Sequence, residues 1–154
     1  MPYRLVSEQM LKEHEVLAQL SDALRTAIRW GQHGDLPRKM SAVHFLLESF
    51  QRHLERMLAL EERGGCLEML KQSHPDFQSR ADAFRQEHDQ FRDTTRRLLQ
   101  AMSHSPEPTP ADVESVFGDL TSLLEKIDSH NQRELDLLQE VILHQQSSEA
   151  DPRD

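Results

Sequence analysis

One cysteine, five glycines and seven prolines are few for a chain of 154 residues. Because Cys66 stands alone, neither an intramolecular disulfide nor a metal cluster with several cysteine ligands can form within one chain. The scarcity of glycine and proline leaves long segments that are rich in Leu, Glu, Gln, Arg and Ala, which are good helix formers. An all-α fold is therefore expected.

Long apolar runs are also missing. No stretch approaches the roughly 18 consecutive apolar residues that suggest a membrane-spanning helix. The first ten residues, MPYRLVSEQM, lack the charged and then apolar pattern of a secretory signal. These two absences predict a cytoplasmic protein that has no membrane partner.

Positive charge is in the minority. The chain has 18 Lys and Arg against 27 Asp and Glu, which gives a formal net charge of -9 at pH 7. Nucleic-acid binding depends on a basic stripe or patch, so nucleic acid is not an expected partner. The length suits one domain with a core and is short for two, and we expect a single domain over residues 1–146 and a polar tail over 147–154.

Apolar residues recur three and four positions apart, the spacing that places side chains on one face of a helix. Four segments show this pattern, over about residues 5–30, 36–62, 75–102 and 110–144. The third segment has the most regular stripe, made of Phe77, Ala81, Phe84, His88, Phe91, Thr95, Leu98 and Met102. Four such helices joined by short loops predict an antiparallel four-helix bundle with up-down-up-down topology.

The ends of the segments contain residues that are typical of helix termini. Gly64 and Gly65 close the second segment, and Thr109 followed by Pro110 is typical of a capping residue and a first helical turn. The stretch CLEMLKQSH, residues 66–74, is expected to form a short connecting helix.

Titratable residues interrupt the apolar stripes. A functional site is expected where a polar residue occupies a position that the helical pattern reserves for an apolar one. They are His14 in the first helix, Glu61 in the second, His88 in the third, and His130 and Glu134 in the fourth. His14 and His88 lie early in helices that run in one direction, whereas the other three lie late in helices that run the opposite way. All five residues therefore fall in one layer near one end of the bundle.

Each of these residues also has an ordinary interpretation. A single histidine on an apolar stripe is more often a satisfied core residue than a metal ligand. Ser21 and Thr95 interrupt the stripes too, but their hydroxyls can bond to the preceding helical turn. His44 and Glu48 have the spacing of a ligand pair, yet they lie toward the opposite end of the bundle and off the stripe.

The convergence of three imidazoles and two carboxylates favours a metal site, because buried charges without partners are costly. Imidazole and carboxylate together suit iron, manganese or zinc. Two carboxylates on facing helices can also bridge a pair of metal ions.

Four stretches resemble the bacterial hemerythrin-like (HHE cation-binding) domain: KEHEVL around His14, EERGGCLEML around Glu61, RQEHDQF around His88, and HNQRELDLLQE from His130. The resemblance covers about residues 7–143 and implies a non-haem centre with two iron ions. It also implies that His14, Glu61, His88, His130 and Glu134 are the ligands, with the two glutamates as bridges. Zinc or manganese is the alternative metal, and dioxygen or another small diatomic molecule is the implied partner.

Met57 departs from the pattern of the family, which places a histidine four residues before the glutamate of the second helix. A thioether is a soft ligand, so Met57 is better explained as core packing. Either one metal keeps an open or water-filled position, or the register shifts so that His53 is the ligand in place of Glu61. His53 lies about 12 Å from Glu61 along the helix axis, and the glycine pair after Glu61 favours keeping the glutamate.

The resemblance leads to the expectation of an iron-binding protein for oxygen binding, oxygen sensing or iron handling. Met57 motivates an alternative, in which a degenerate bundle with a mononuclear or empty site acts as an interaction or stress-related module. An enzyme is not favoured, because the sequence shows no nucleophile motif and Cys66 has no located base.

Overall fold

The computed structural model describes residues 2–29, 35–64, 74–104 and 107–149. Within them the chain forms four α-helices: α1 (Pro2–Arg29), α2 (Leu36–Gly64), α3 (Pro75–Ser103) and α4 (Pro110–Glu149). The described residues contain no strand. The prediction of an all-α four-helix bundle is confirmed.

The predicted helix ends are close to the observed ones except at the end of α4. This helix continues to Glu149, beyond the predicted end near His144. The residues after His144 are Gln, Ser and Glu, and no glycine or proline stops the helix among them. The predicted connecting helix over 66–74 lies outside the described residues, except for His74.

Side chains cap the starts of α3 and α4. His74 precedes α3, and its Nδ1 accepts a hydrogen bond from the backbone N–H of Asp76 at 3.3 Å. Before α4, the Thr109 hydroxyl accepts from the Asp112 N–H, and the Asp112 carboxylate accepts in return from the Thr109 N–H. This reciprocal capping box confirms the predicted helix start.

The apolar core is divided into two clusters along the bundle axis. The larger cluster takes in residues of all four helices, including Leu24, Phe50, Phe91 and Leu124. The smaller one consists of residues from the start of α3 and the later part of α4: Phe77, Ala81, Phe84, Leu137 and Val141. The gap between the two clusters on α3 and α4 is where the titratable layer lies.

The stripe predicted for α3 is confirmed, since all eight of its residues are buried. The hydroxyl of Thr95 in this stripe is satisfied, because its Oγ1 donates a hydrogen bond of 2.6 Å to the Phe91 carbonyl. Over the part of the chain that the structure describes, no helix is both long and apolar enough to cross a membrane.

Candidate metal centre

Four titratable side chains from three helices converge in the gap between the apolar clusters. Glu61 comes from α2, His88 from α3, and His130 and Glu134 from α4. Each offers one ligand-type atom, and these atoms all lie within 4.8 Å of one another. All four residues are buried, so this small volume holds two imidazoles and two carboxylates away from bulk water.

His14 of α1 lies at the edge of this cluster. Its Nε2 is 3.4 Å from Oε1 of Glu61, and its side chain is 32% exposed. The structure thus brings together all five residues of the layer predicted from the sequence, with His14 on the solvent side. The backbone spacing explains the arrangement, because His130 and Glu134 are one turn apart on the buried face of α4.

His53 lies elsewhere. Its Nδ1 is 2.8 Å from Oε2 of Glu13 on α1, and it is not part of the converging group. Met57, one turn before Glu61, is 1% exposed and belongs to the larger apolar cluster. Of the two alternative registers for α2, the structure therefore places Glu61 and not His53 beside the other residues.

The other HxxxE pair on α2 lies apart from this cluster. Nδ1 of His44 is 3.3 Å from Oε1 of Glu48, and its Nε2 is 3.1 Å from the Ser103 hydroxyl near the end of α3. No further histidine or carboxylate joins this pair among the described residues.

The nitrogen atoms at the centre lie close to one another and to the carboxylates. The Nε2 atoms of His88 and His130 are 3.1 Å apart. Nε2 of His88 is 3.1 Å from Oε2 of Glu61, and Nε2 of His130 is 2.9 Å from Oε2 of Glu134. Two aromatic rings flank the site, since Phe84 and Phe91 each pack against the His130 ring in a T-shaped arrangement.

These short distances do not amount to satisfied hydrogen bonds. Both oxygens of Glu61 and Oε2 of Glu134 are buried and have no hydrogen-bond partner of acceptable geometry among the described residues. A buried carboxylate oxygen without a partner is costly, and a cation held between the oxygens and the imidazole nitrogens removes that cost. The donor set fits a first-row metal ion.

The two central carboxylates differ in their proton affinity. Burial would raise the pKa of Glu61, but contacts with His14 and His88 lower it to about 2. Burial raises the pKa of Glu134, and the nearby charge of Glu61 adds to this effect, while His130 opposes it. Without a cation, the site therefore favours only one of the two negative charges.

Two histidines of the centre, His14 and His130, hold protons more firmly than free imidazole does. Contact with Glu61 raises the pKa of His14. Burial lowers the pKa of His130, but contacts with Glu134 and Glu87 outweigh it, so that the pKa is raised. Metal binding at these nitrogens would have to displace protons, so its affinity would depend on pH.

The outer nitrogen of His88 faces a carboxylate that the sequence analysis did not identify. Nδ1 of His88 is 3.1 Å from Oε1 of Glu62. Arg92 holds that carboxylate with both terminal nitrogens, Nη1 to Oε1 at 2.9 Å and Nη2 to Oε2 at 3.0 Å. Burial would raise the pKa of Glu62, yet contacts with Arg92 and His88 keep it below its usual value.

The same arrangement recurs behind His130. Its Nδ1 contacts Oε2 of Glu87, and Nη2 of Arg133 donates to Oε1 of the same carboxylate at 2.8 Å. The sequence could have indicated both glutamates only by their position next to predicted ligands, because Glu62 directly follows Glu61 and Glu87 directly precedes His88. Charged residues on the flank of a helix resemble an ordinary solvated face, so their contacts were not predictable from periodicity.

A groove between α1 and α4 leads to the edge of the centre. Its volume is about 420 Å³, and His14 and Glu134 form part of its wall. Met10, Leu11 and Leu135 supply apolar surface beside them. A small molecule can therefore approach the centre at its His14 side.

Comparison with known proteins identifies one family. The family model described as the hemerythrin HHE cation binding domain matches residues 5–142. The matched span includes all five residues of the titratable layer. No curated protein and no solved structure matches the chain.

Proposed function

Because the chain belongs to the hemerythrin HHE cation-binding family, we propose that it binds iron through His14, Glu61, His88, His130 and Glu134. The observation that carries the proposal is the set of buried carboxylate oxygens that have no hydrogen-bond partner among the described residues. They face imidazole nitrogens at 2.9 to 3.4 Å, where a cation would satisfy all of them. Zinc and manganese accept the same donors and are the alternative metals.

The orientation of Glu61 supports two metal positions. Its Oε1 faces His14 and its Oε2 faces His88, as a carboxylate that bridges two ions would. His88 and His130 would serve one position together with Glu134, and His14 would serve the other. Since Met57 occupies the place where the resemblance implies a histidine, the second position would have one protein nitrogen fewer and could take a water or an external ligand.

We propose oxygen binding or sensing, or the handling of iron, as the role of the centre. Bound iron would supply the capacity to bind dioxygen or another diatomic molecule. The chain contributes the surroundings: Phe84 and Phe91 keep water from the His130 side, and the groove beside His14 admits a small molecule. The acidic charge and the single cysteine are compatible with a cytoplasmic protein.

Metal analysis of matched variants tests this proposal. The wild type is loaded with Fe(II) without oxygen, and free metal is removed before iron and protein are measured. We expect the wild type and His53→Ala to retain iron, because His53 pairs with Glu13 outside the centre. His130→Ala should lose the iron held beside His88. A folded wild type that retains no iron overturns the proposal.

A second candidate is a mononuclear centre, and the buried Met57 favours it. In that case one ion would bind among Glu61, His88, His130 and Glu134, the four residues whose ligand atoms lie within 4.8 Å of one another. Anaerobic titration with Fe(II) separates the two candidates. Binding that saturates at one ion per chain and is unchanged in His14→Ala favours the mononuclear centre.

A further inference from the structure

Two histidines of the centre each contact carboxylates on both sides of the ring. Nε2 of His88 points inward to Glu61, while its Nδ1 points outward to Glu62. Nε2 of His130 points inward to Glu134, while its Nδ1 points outward to Glu87. In each ring the position of the imidazole proton decides which nitrogen can bind a metal.

The outer carboxylates determine where that proton lies. Arg92 donates to both oxygens of Glu62, and Arg133 donates to Glu87. A carboxylate paired with arginine in this way is an acceptor only, so the facing imidazole nitrogen must be the donor. The Nδ1 atoms of both rings therefore carry hydrogen, and a neutral ring leaves its Nε2 lone pair free.

The two Nε2 atoms are 3.1 Å apart, and each also lies near a carboxylate oxygen. Four electron-rich atoms then converge with no hydrogen supplied by a neutral ring. Only a cation shared among them, a proton or a metal ion, makes the arrangement favourable.

We propose that Glu62 with Arg92, and Glu87 with Arg133, are positioning residues that hold His88 and His130 in the tautomer required for metal binding. This inference rests on the proposed metal-binding function. The two pairs act from outside the centre, through the imidazole rings, and do not touch the metal. Carboxylate partners of this kind fix the orientation of a ligating histidine and increase its basicity.

His14 differs from the other two histidines in this respect. Its Nε2 faces Glu61, and no carboxylate of the described residues faces its Nδ1. Its side chain is also the only partly exposed one among the five. The position beside His88 and His130 is thus preorganised, and the position beside His14 is not, so the former fills first.

Nitrogen NMR of the metal-free protein tests the tautomer directly. With ¹⁵N-labelled histidine at alkaline pH, where the rings are neutral, we expect His88 and His130 to carry hydrogen on Nδ1. Rings with hydrogen on Nε2 would contradict the proposal. If the protein binds iron but has Nε2–H rings, only this inference fails. If the rings are Nδ1–H but no metal binds, the proposed function fails and the tautomer assignment stands.

The metal affinity of variants at the two outer carboxylates, Glu62 and Glu87, provides the second test. Glu62→Ala and Glu87→Ala should each weaken metal binding by about 10- to 100-fold. Glu62→Gln and Glu87→Gln should recover part of the loss, because an amide oxygen can still accept from Nδ1. Glu140→Ala is the control, since Glu140 pairs with Arg80 between α4 and α3, the two helices that the Glu87–Arg133 pair joins, but does not contact the centre. Equal affinity in all of these variants would contradict the proposal.

Discussion

At the scale of single residues, the centre depends on polar side chains that occupy apolar positions. Four buried residues occupy apolar positions of a helical stripe, and this was visible in the sequence: Glu61, His88, His130 and Glu134. Their outer partners were not visible, because Glu62 and the other outer residues lie on the flanks of the stripes. Periodicity predicts which face a side chain occupies, but not which charged neighbour contacts it.

Met57 occupies the position at which the resemblance to the family implies a histidine. It lies one turn before Glu61 and is buried. We predict that Met57→His adds a nitrogen ligand and tightens the second, weaker step of Fe(II) binding in an anaerobic titration. Met57→Leu, which conserves volume, should leave both steps unchanged. A folded histidine variant with an unchanged second step would show that position 57 does not reach the metal.

Protonation of the histidines predicts how pH affects the centre. In the metal-free protein the pKa values of His14 and His130 are raised above 6.5 by their carboxylate contacts. Their contribution to folding is therefore complete below the unfolded value and is lost as the pH rises through the folded value. Metal binding has the opposite trend, because it requires unprotonated nitrogen.

We accordingly expect metal affinity to increase from about pH 6 to pH 8, while the metal-free protein loses stability over the same range. Competition against a chelator of known affinity, with Zn(II) as a probe that does not change oxidation state, measures the first trend. Thermal unfolding of the metal-free protein measures the second. Affinity that is independent of pH would contradict the assignment of His14 and His130 as ligands.

At the scale of helices, the pattern of α3 was fully predictable, because its stripe repeats without interruption and Pro75 marks its start. The end of α4 was not, because the sequence after His144 becomes polar but contains no strong stop signal. Polarity alone does not end a helix whose residues still favour helical backbone. The start of α4, by contrast, carries a specific signal in Thr109 and Asp112.

The capping box of α4 supports a prediction for stability. Thr109→Ala removes the hydroxyl that accepts from the Asp112 N–H, and we expect the free energy of unfolding to fall by about 1 kcal/mol. Thr109→Ser keeps the acceptor and should lose little. Denaturant unfolding monitored by circular dichroism provides the comparison. Equal stability of the alanine and serine variants would show that the cap does not stabilise the helix.

At the scale of the whole molecule, the bundle places a charged layer between two apolar clusters. The clusters hold four helices in position around side chains that would be more stable in water. Burial of these side chains therefore opposes folding in the metal-free protein, and a bound cation would offset that cost. A ligand that binds only the folded state raises its stability in proportion to the logarithm of free ligand concentration once the site is saturated.

This opposition predicts that Glu134→Leu separates stability from function. Burial already raises the pKa of Glu134, and one of its oxygens lacks a partner among the described residues. Burial in apolar surroundings penalises the charged carboxylate, so an apolar side chain of similar volume at this position removes that cost from the folded state. At pH 8 we expect the metal-free variant to melt no lower than the metal-free wild type, and iron to give it no further stabilisation. A strongly destabilised variant would show that Glu134 supports the fold without metal.

The most direct test of metal binding is an anaerobic titration with Fe(II) that is monitored by calorimetry. It compares the wild type with His130→Ala. The wild type should bind iron saturably in two steps, the second weaker because only His14 supplies nitrogen there. His130→Ala should lose the first step. A folded wild type that shows no saturable uptake of iron would contradict the proposed metal binding.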